Sequence, residues 1–324
     1  MTRRERRAAG RAANGRRPAG PRPWRWLALA AGAVIVVLAG FAVWQWTSGA
    51  SPVREGAPSW SPDGRHIVFY AERRGGKSDL FVMDADGANR RALLETPESS
   101  EGAPAFSPDG RRIAYDTDRD GNFEIYVMNA DGTGARRLTT SPSRDLAPAW
   151  SPDGGSIVFM SDRDARPEFD VFRVKADGTD VERLTSGATH WFPQYSPDGG
   201  RLAMHVWRDV HVLDLGTRAL TRLTVDPSNG MYPTWSPDGA RLAFMSWRSG
   251  PTGIYTMNAD GTDQRLLVRM RNGSALDPRW SPDGSRIAFV HVPETSVRDE
   301  QHEGQTREVY VVDVATGRLT KLSK

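Results

Sequence analysis

Apolar and polar positions alternate in short runs along most of the chain, and the runs come in a recurring order. Ile67-Val68-Phe69, Ile113-Ala114-Tyr115 and Ile287-Ala288-Phe289 have the β-branched and aromatic composition of strands buried on both sides. Each follows an aromatic-Ser-Pro-Asp-Gly pentad, and each precedes a stretch such as LFVMDADG, IYVMNADG or IYTMNADG, then an Arg-Leu-Thr-like segment. The pentads Trp60–Gly64, Phe106–Gly110, Trp150–Gly154, Tyr195–Gly199, Trp235–Gly239 and Trp280–Gly284 are spaced by 46, 44, 45, 40 and 45 residues. A proline stands two positions before each aromatic. In the turn, proline presets φ, the aspartate bonds to the local backbone and the glycine accepts positive φ. Asp63, Gly64, Asp109, Gly110, Asp153, Gly154, Asp198, Gly199, Asp238, Gly239, Asp283 and Gly284 are therefore read as hairpin residues. Four antiparallel strands per repeat of about 45 residues make one propeller blade. The expected fold is all-β, a six-bladed propeller over residues 56–324, because a sheet apolar on both faces needs a neighbour on each side. Every repeat supplies its four strands in order, with no spare strand to exchange between the first and last blades.

The pattern differs ahead of the repeats. Trp26–Trp46 carries no charge, and 21 residues at ~1.5 Å each span roughly the hydrocarbon core of a bilayer. It predicts one N-terminal transmembrane helix, read as an uncleaved anchor with cleavage at the small residues Ser48-Gly49-Ala50 as the alternative, and with Trp24, Trp26, Trp44 and Trp46 at the headgroup levels. Residues 1–25 are read as a basic, disordered cytoplasmic tail and 47–55 as a linker. Nine arginines precede Trp26, so the tail should stay cytoplasmic and the propeller lie outside the cytoplasm, periplasmic or at the cell surface. The overall charge of +3 belongs to that tail; 34 basic and 39 acidic side chains remain beyond Arg25. This removes the case for nucleic acid, which needs clustered cations on the folded surface. The chain has no cysteine, so disulfides, thiolate nucleophiles and Cys-ligated zinc are excluded.

The repeated P-x-W-S-P-D-G, I-A-F, I-Y-V-M-N-A-D-G and R-L-T elements resemble the TolB-type propeller family, a relative of WD-type repeats, over about residues 56–324. The resemblance implies a propeller that binds a protein. Periplasmic TolB proteins carry an α/β domain ahead of the propeller and bind a peptidoglycan-associated lipoprotein. With about nine residues between Trp46 and the first repeat, that domain is not expected here. Related propellers also gate prolyl-oligopeptidase-like hydrolases or form pectin-fragment lyases that hold a metal with clustered histidines.

A specific site is expected on the loops between repeats, where the copies differ. The residues just ahead of the prolines offer Glu55, Glu101 and Asp145 in blades one to three, His190, Trp191 and Phe192 in blade four, Met231 and Tyr232 in blade five, and Asp277 in blade six. One half of the mouth reads as acidic, the other as aromatic, which suits a peptide or protein segment bearing a basic residue. No catalytic residue and no cofactor are assigned. Of the six histidines, His66, His190, His205, His211, His291 and His302, only His190 lies in that column, fewer than the three or four ligands a metal needs. Asp116–Gly121 opens like a calcium loop, but Val127 stands where a bidentate glutamate would be required, so it is read as a turn. Asp116 and His205 are polar intruders in an otherwise apolar column and are expected to be partly exposed at strand ends. A carbohydrate sensor or a lyase at the same mouth is the alternative function.

Overall fold

The computed structural model describes residues 54–73, 76–164, 168–225, 229–294 and 306–323. They form six four-stranded antiparallel sheets, each with its strands in chain order. Blade one comprises Glu55–Trp60, His66–Glu72, Ser78–Asp84 and Arg91–Leu94; blade two Glu101–Phe106, Arg112–Thr117, Glu124–Asn129 and Arg136–Arg137. Blade three runs Asp145–Trp150, Ser156–Ser161, Asp170–Lys175 and Glu182–Arg183; blade four His190–Tyr195, Arg201–Val206, Asp209–Asp214 and Leu220–Arg222. Blades five and six begin with Met231–Trp235 and Ser274–Trp280 and end with Arg265–Arg269 and Leu319–Lys321. The six-bladed, all-β expectation holds for the described residues. No helix long and apolar enough to cross a membrane occurs among them, and the expected span Trp26–Trp46 lies outside them.

Each pentad turn has one geometry. The serine hydroxyl donates to the aspartate at 2.5–2.6 Å. The glycine sits at a φ of 69–71°, which a side chain would strain. Each turn glycine also faces the proline ring of the preceding blade's turn, Gly64 facing Pro282 across the ring.

Neighbouring blades are joined by repeated contacts. Arg112, Arg201 and Arg241 lie over Trp150, Trp235 and Trp280 of the next blade at 4.6, 4.7 and 5.4 Å, and Arg286 of blade six lies over Trp60 of blade one at 4.7 Å. The Trp60 indole donates to the Arg279 carbonyl at 3.2 Å, as Trp150 does to Ala105. Trp60, Ile67 and Phe69 share one apolar cluster with Ala288, Val309 and Val311. The ring therefore closes without strand exchange, through the same kind of interface that joins other blades. A backbone contact between Glu55 N and Arg307 O at 3.1 Å adds to it.

The seam also repeats a buried polar staple. Thr96 donates to Glu101 and Thr139 bonds Asp145, in each case joining the outer strand's end to the first strand of the next blade. Ser323 donates to Glu55 in the same way and accepts from the Val309 amide at 2.6 Å. Ser323→Ala removes the hydroxyl that accepts from the Val309 amide and one of the donors that hold Glu55, so urea unfolding should report a loss of about 1–3 kcal/mol. Ser323→Thr, which restores the residue other blades use, should unfold like the wild type. A loss below ~0.5 kcal/mol for Ser323→Ala would mean that the seam does not depend on this staple.

Candidate functional site

The innermost strand of every blade breaks its register just before the proline, for example between Gly56 and Ser59 and between Trp191 and Gln194. At the break, Ala57, Ala103, Ala147, Phe192, Tyr232 and Asp277 all take positive φ, between 41 and 53°. Left-handed backbone costs a non-glycine residue roughly 1–2 kcal/mol, so six copies are a built feature. The bulge turns these residues and their neighbours into the central channel. There they line a cavity of about 330 Å³ with Tyr70, Asp116, Met160, Val290 and Arg307 from adjoining strands and loops.

The bulge amides are partly taken by side chains of the preceding blade. The Ala147 amide donates to Asp116 Oδ2 at 2.8 Å, the Tyr232 amide to His205 Nδ1 at 3.3 Å, and the Ala57 amide to Asp277. These are blades three, five and one, so every second bulge is held by its neighbour. Asp116 and His205 are 5% and 2% exposed, which corrects the expectation of partial exposure. They intrude into an apolar column because a bulge amide needs an acceptor there. Burial pushes the His205 imidazole down from 6.5 to about 3, so it stays neutral and can accept.

The acidic half-mouth is not assembled as expected. Glu55, Glu101 and Asp145 are fully buried, and of the three only Glu55 borders the cavity. Arg90 pairs with Glu55 at 3.1 Å, Arg119 with Glu101 at 3.5 Å and Arg163 with Asp145 at 2.7 Å. Burial raises the Glu55 and Asp145 carboxyls above their ordinary range even so. His190 is 1% exposed and lies 3.3 Å from Asp170, its pKa lowered by burial. Alignment identified a shared position, but the bulge sends that position inward to the seam and the following two residues to the channel.

Of the aromatic half, Trp191, Phe192 and Tyr232 are drawn together at the cavity, while His190 and Met231 are not. Trp191 stacks on Phe169 with centroids 5.0 Å apart, and Phe192 packs on Tyr232 at 4.6 Å and on His205 at 5.8 Å. Trp191, Phe192 and Tyr232 wedge blades three to five together and also face the cavity. Met231 is half-buried and packs against blade six. Asp277 pairs with Arg279 at 2.8 Å, and burial raises its pKa.

Sequence reasoning missed three parts of this face. Trp207, at the tip of the hairpin after the second strand of blade four, is 70% exposed, with φ at 56°. Trp247 holds the equivalent place in blade five under the Arg208 guanidinium, 5.6 Å away. Arg307 reaches the Tyr70 hydroxyl at 3.4 Å. Aligning the residue that follows each second strand would have exposed the tryptophans, since Arg73, Asp118 and Asp162 stand there in blades one to three.

The calcium-like loop is spoken for: Asp118 accepts from Lys77 at 2.8 Å and from the Ser100 amide, and Asp120 from Tyr126 and Arg137. Among the described residues no three His, Asp or Glu side chains converge to hold a metal ion. His205 also sets a pH dependence. An imidazole that the fold keeps neutral costs stability as the pH falls below 6.5, because the unfolded chain takes the proton and the folded chain refuses it until about 3. His205→Met, which borrows the residue found at Met160 and Met245, removes that difference. Between pH 7 and 5 the wild type should lose about 2 kcal/mol more than the variant in urea unfolding; parallel losses would show that His205 titrates normally.

The fold and its channel have counterparts among known proteins. A family model described as the TolB β-propeller domain matches residues 57–206 and 186–307. The Agrobacterium fabrum protein Atu1656, uncharacterised, is 32% identical over 155 residues, 48% of this chain and 51% of its own length. TolB from Acinetobacter baumannii superposes with a TM-score of 0.61 at 22% identity, covering 71% of this chain and 57% of that one. An oligogalacturonate lyase solved with manganese gives 0.57 at 15% identity, covering 82% and 76%. The chain thus spans about half the length of the Agrobacterium relative, and the two structural likenesses are likenesses of fold. Matched across 57–307, with all six bulged blades present, the chain belongs to the TolB β-propeller family.

Proposed function

We propose that this chain is an extracytoplasmic, membrane-anchored scaffold that binds a protein or peptide segment on the loop face of its propeller, without catalysing a reaction. The observation that carries the reading is Trp207, 70% exposed on a hairpin tip at the same end of its blade as the inner-strand start, on the face where Trp191 lines an apolar-walled cavity. Tryptophan is the side chain most enriched at the energetic centre of interfaces. The opposite face offers six near-copies of one turn, whereas this one differs from blade to blade. The TolB likeness supports a protein as the occupant. The anchor rests on the uncharged stretch Trp26–Trp46 and the arginines before it.

A photoreactive phenylalanine at position 207 of the full-length chain, irradiated in native membranes, should yield a discrete adduct with a second polypeptide. Trp191→Ala should reduce that adduct at least about tenfold under conditions in which circular dichroism shows the variant folded, as loss of a central aromatic anchor does. An adduct indifferent to Trp191, or none, would refute the binding face. A phosphatase reporter fused after Lys324 should be active outside the cytoplasm, and a cytoplasmic signal would refute the anchor.

A further inference from the structure

The channel contains one carboxylate that nothing neutralises. Asp116 sits where the other blades place Tyr70, Met160, His205, Met245 and Val290. Its Oδ2 accepts the Ala147 amide at 2.8 Å, and its Oδ1 lies over Gly102, where a Cβ would come within 2.5 Å of it. Glycine at 102 is what lets the carboxylate occupy this space. Among the described residues no arginine, lysine or histidine pairs with Asp116, and the nearest charge that acts on it is the like charge of Glu101. Every other acid on this ring has a cation: Arg90 for Glu55, Arg119 for Glu101, Arg163 for Asp145 and Arg279 for Asp277. A buried, unpaired carboxylate is costly, and the Met or Val of sister blades would fill the place more cheaply. The ring order sets blade two across the channel from Tyr232 in blade five, with Trp191 and Phe192 beside it. One anionic group facing aromatic rings is the arrangement that holds organic cations. The cavity, at about 330 Å³, is at the small-ligand end of pocket sizes.

We propose that the cavity receives a single lysine or arginine side chain of the bound partner, its charge on Asp116 and its stem against Trp191, Phe192 and Tyr232. The proposal rests on the reading of this face as a protein-binding surface. It replaces the acids expected from the sequence, which the seams consume, with one that they leave free. Arg307, held against Tyr70, lies on the blade-one side of the cavity.

Benzylammonium serves as the probe and benzyl alcohol as its neutral counterpart, with binding to the detergent-solubilised full-length chain followed by calorimetry. The wild type should prefer the cation at least about tenfold at pH 7.5. Asp116→Asn keeps an oxygen for the Ala147 amide and should erase that preference; Asp116→Met, the residue of blades three and five, should do the same if the asparagine variant fails to fold. Burial raises the Asp116 pKa to about 6, so lowering the pH from 7.5 to 5 should weaken cation binding roughly tenfold in the wild type and not in the variants. Of the other groups around the channel, His205 and His190 are shifted down by burial, Tyr232 is raised to about 12, Glu101 is paired with Arg119, and Arg307 lies against the Tyr70 hydroxyl. Asp277 and Glu55, both raised by burial, are the groups whose protonation the Asp116 variants control for. Equal affinity for the two probes, or an unchanged preference in Asp116→Asn, overturns the proposal. If Trp191→Ala abolishes the position-207 adduct while Asp116→Asn leaves it intact, the face binds a partner without a cation in the cavity, and only this inference falls. If neither substitution affects the adduct, the reading of the face falls with it.

Discussion

A sheet that is apolar on both sides cannot stand alone in water, and every blade of this chain is such a sheet. Val68, Ala114, Val158, Ala203, Ala243 and Ala288, the central residues of the second strands, are all fully buried, as are their neighbours on the opposite face. Each sheet is therefore stable only between two others, and the first and last have no choice but to meet. The Trp60 contacts and the Ser323–Glu55 staple are how they do so. Since blades of about 45 residues leave the innermost strands around a narrow channel, the same constraint also creates the cavity.

The bulge before each proline converts that geometry into a site. A regular strand would send alternate side chains to the two neighbouring blades and none to the axis. By forcing a left-handed residue into each inner strand, the fold turns one or two residues per blade toward the channel. Alanine in blades one to three keeps the channel open; phenylalanine and tyrosine in four and five furnish a wall. Glycine at 56 and 102 makes room for Tyr70 and Asp116 reaching in from the second strand. The channel's chemistry is thus set by two positions per blade on a scaffold that is otherwise repetitive.

This explains what could be read in the sequence. The blade count, the strand order, the turn residues and the absence of an exchanged strand were all legible, because each depends on local turn chemistry repeated six times. The aromatic wall was legible too, since bulky residues at one repeat position stand out. The acids were misassigned because alignment gives a residue's place along a strand and not its direction. One bulge separates Glu101, buried in a seam with Thr96, Ser99 and Arg119, from Ala103, which lines the channel two residues later. Asp116 was visible as an oddity, but its burial depends on Gly102 in a paired strand and on an amide from another blade, neither of which is local.

The distribution of polar and aromatic groups around the mouth has one further consequence for how a partner would sit. After the second strands, blades one to three carry Arg73, Asp118 and Asp162, each engaged with neighbouring side chains or backbone, while blades four and five carry Trp207 and Trp247. Arg73 is held by Asp79, Asp118 by Lys77 and Asp162 by Arg144, so the polar arc is internally satisfied and offers little to an incoming surface. Fixed, paired charges at a rim add little affinity, whereas apolar rings leaving water contribute in proportion to the area covered. The contact should therefore be lopsided, pressed onto blades four and five, with only a narrow extension of the partner reaching the channel axis. A six-fold scaffold presents a one-sided surface in this way because two hairpin tips and two bulges, all on adjoining blades, depart together from the pattern of the rest.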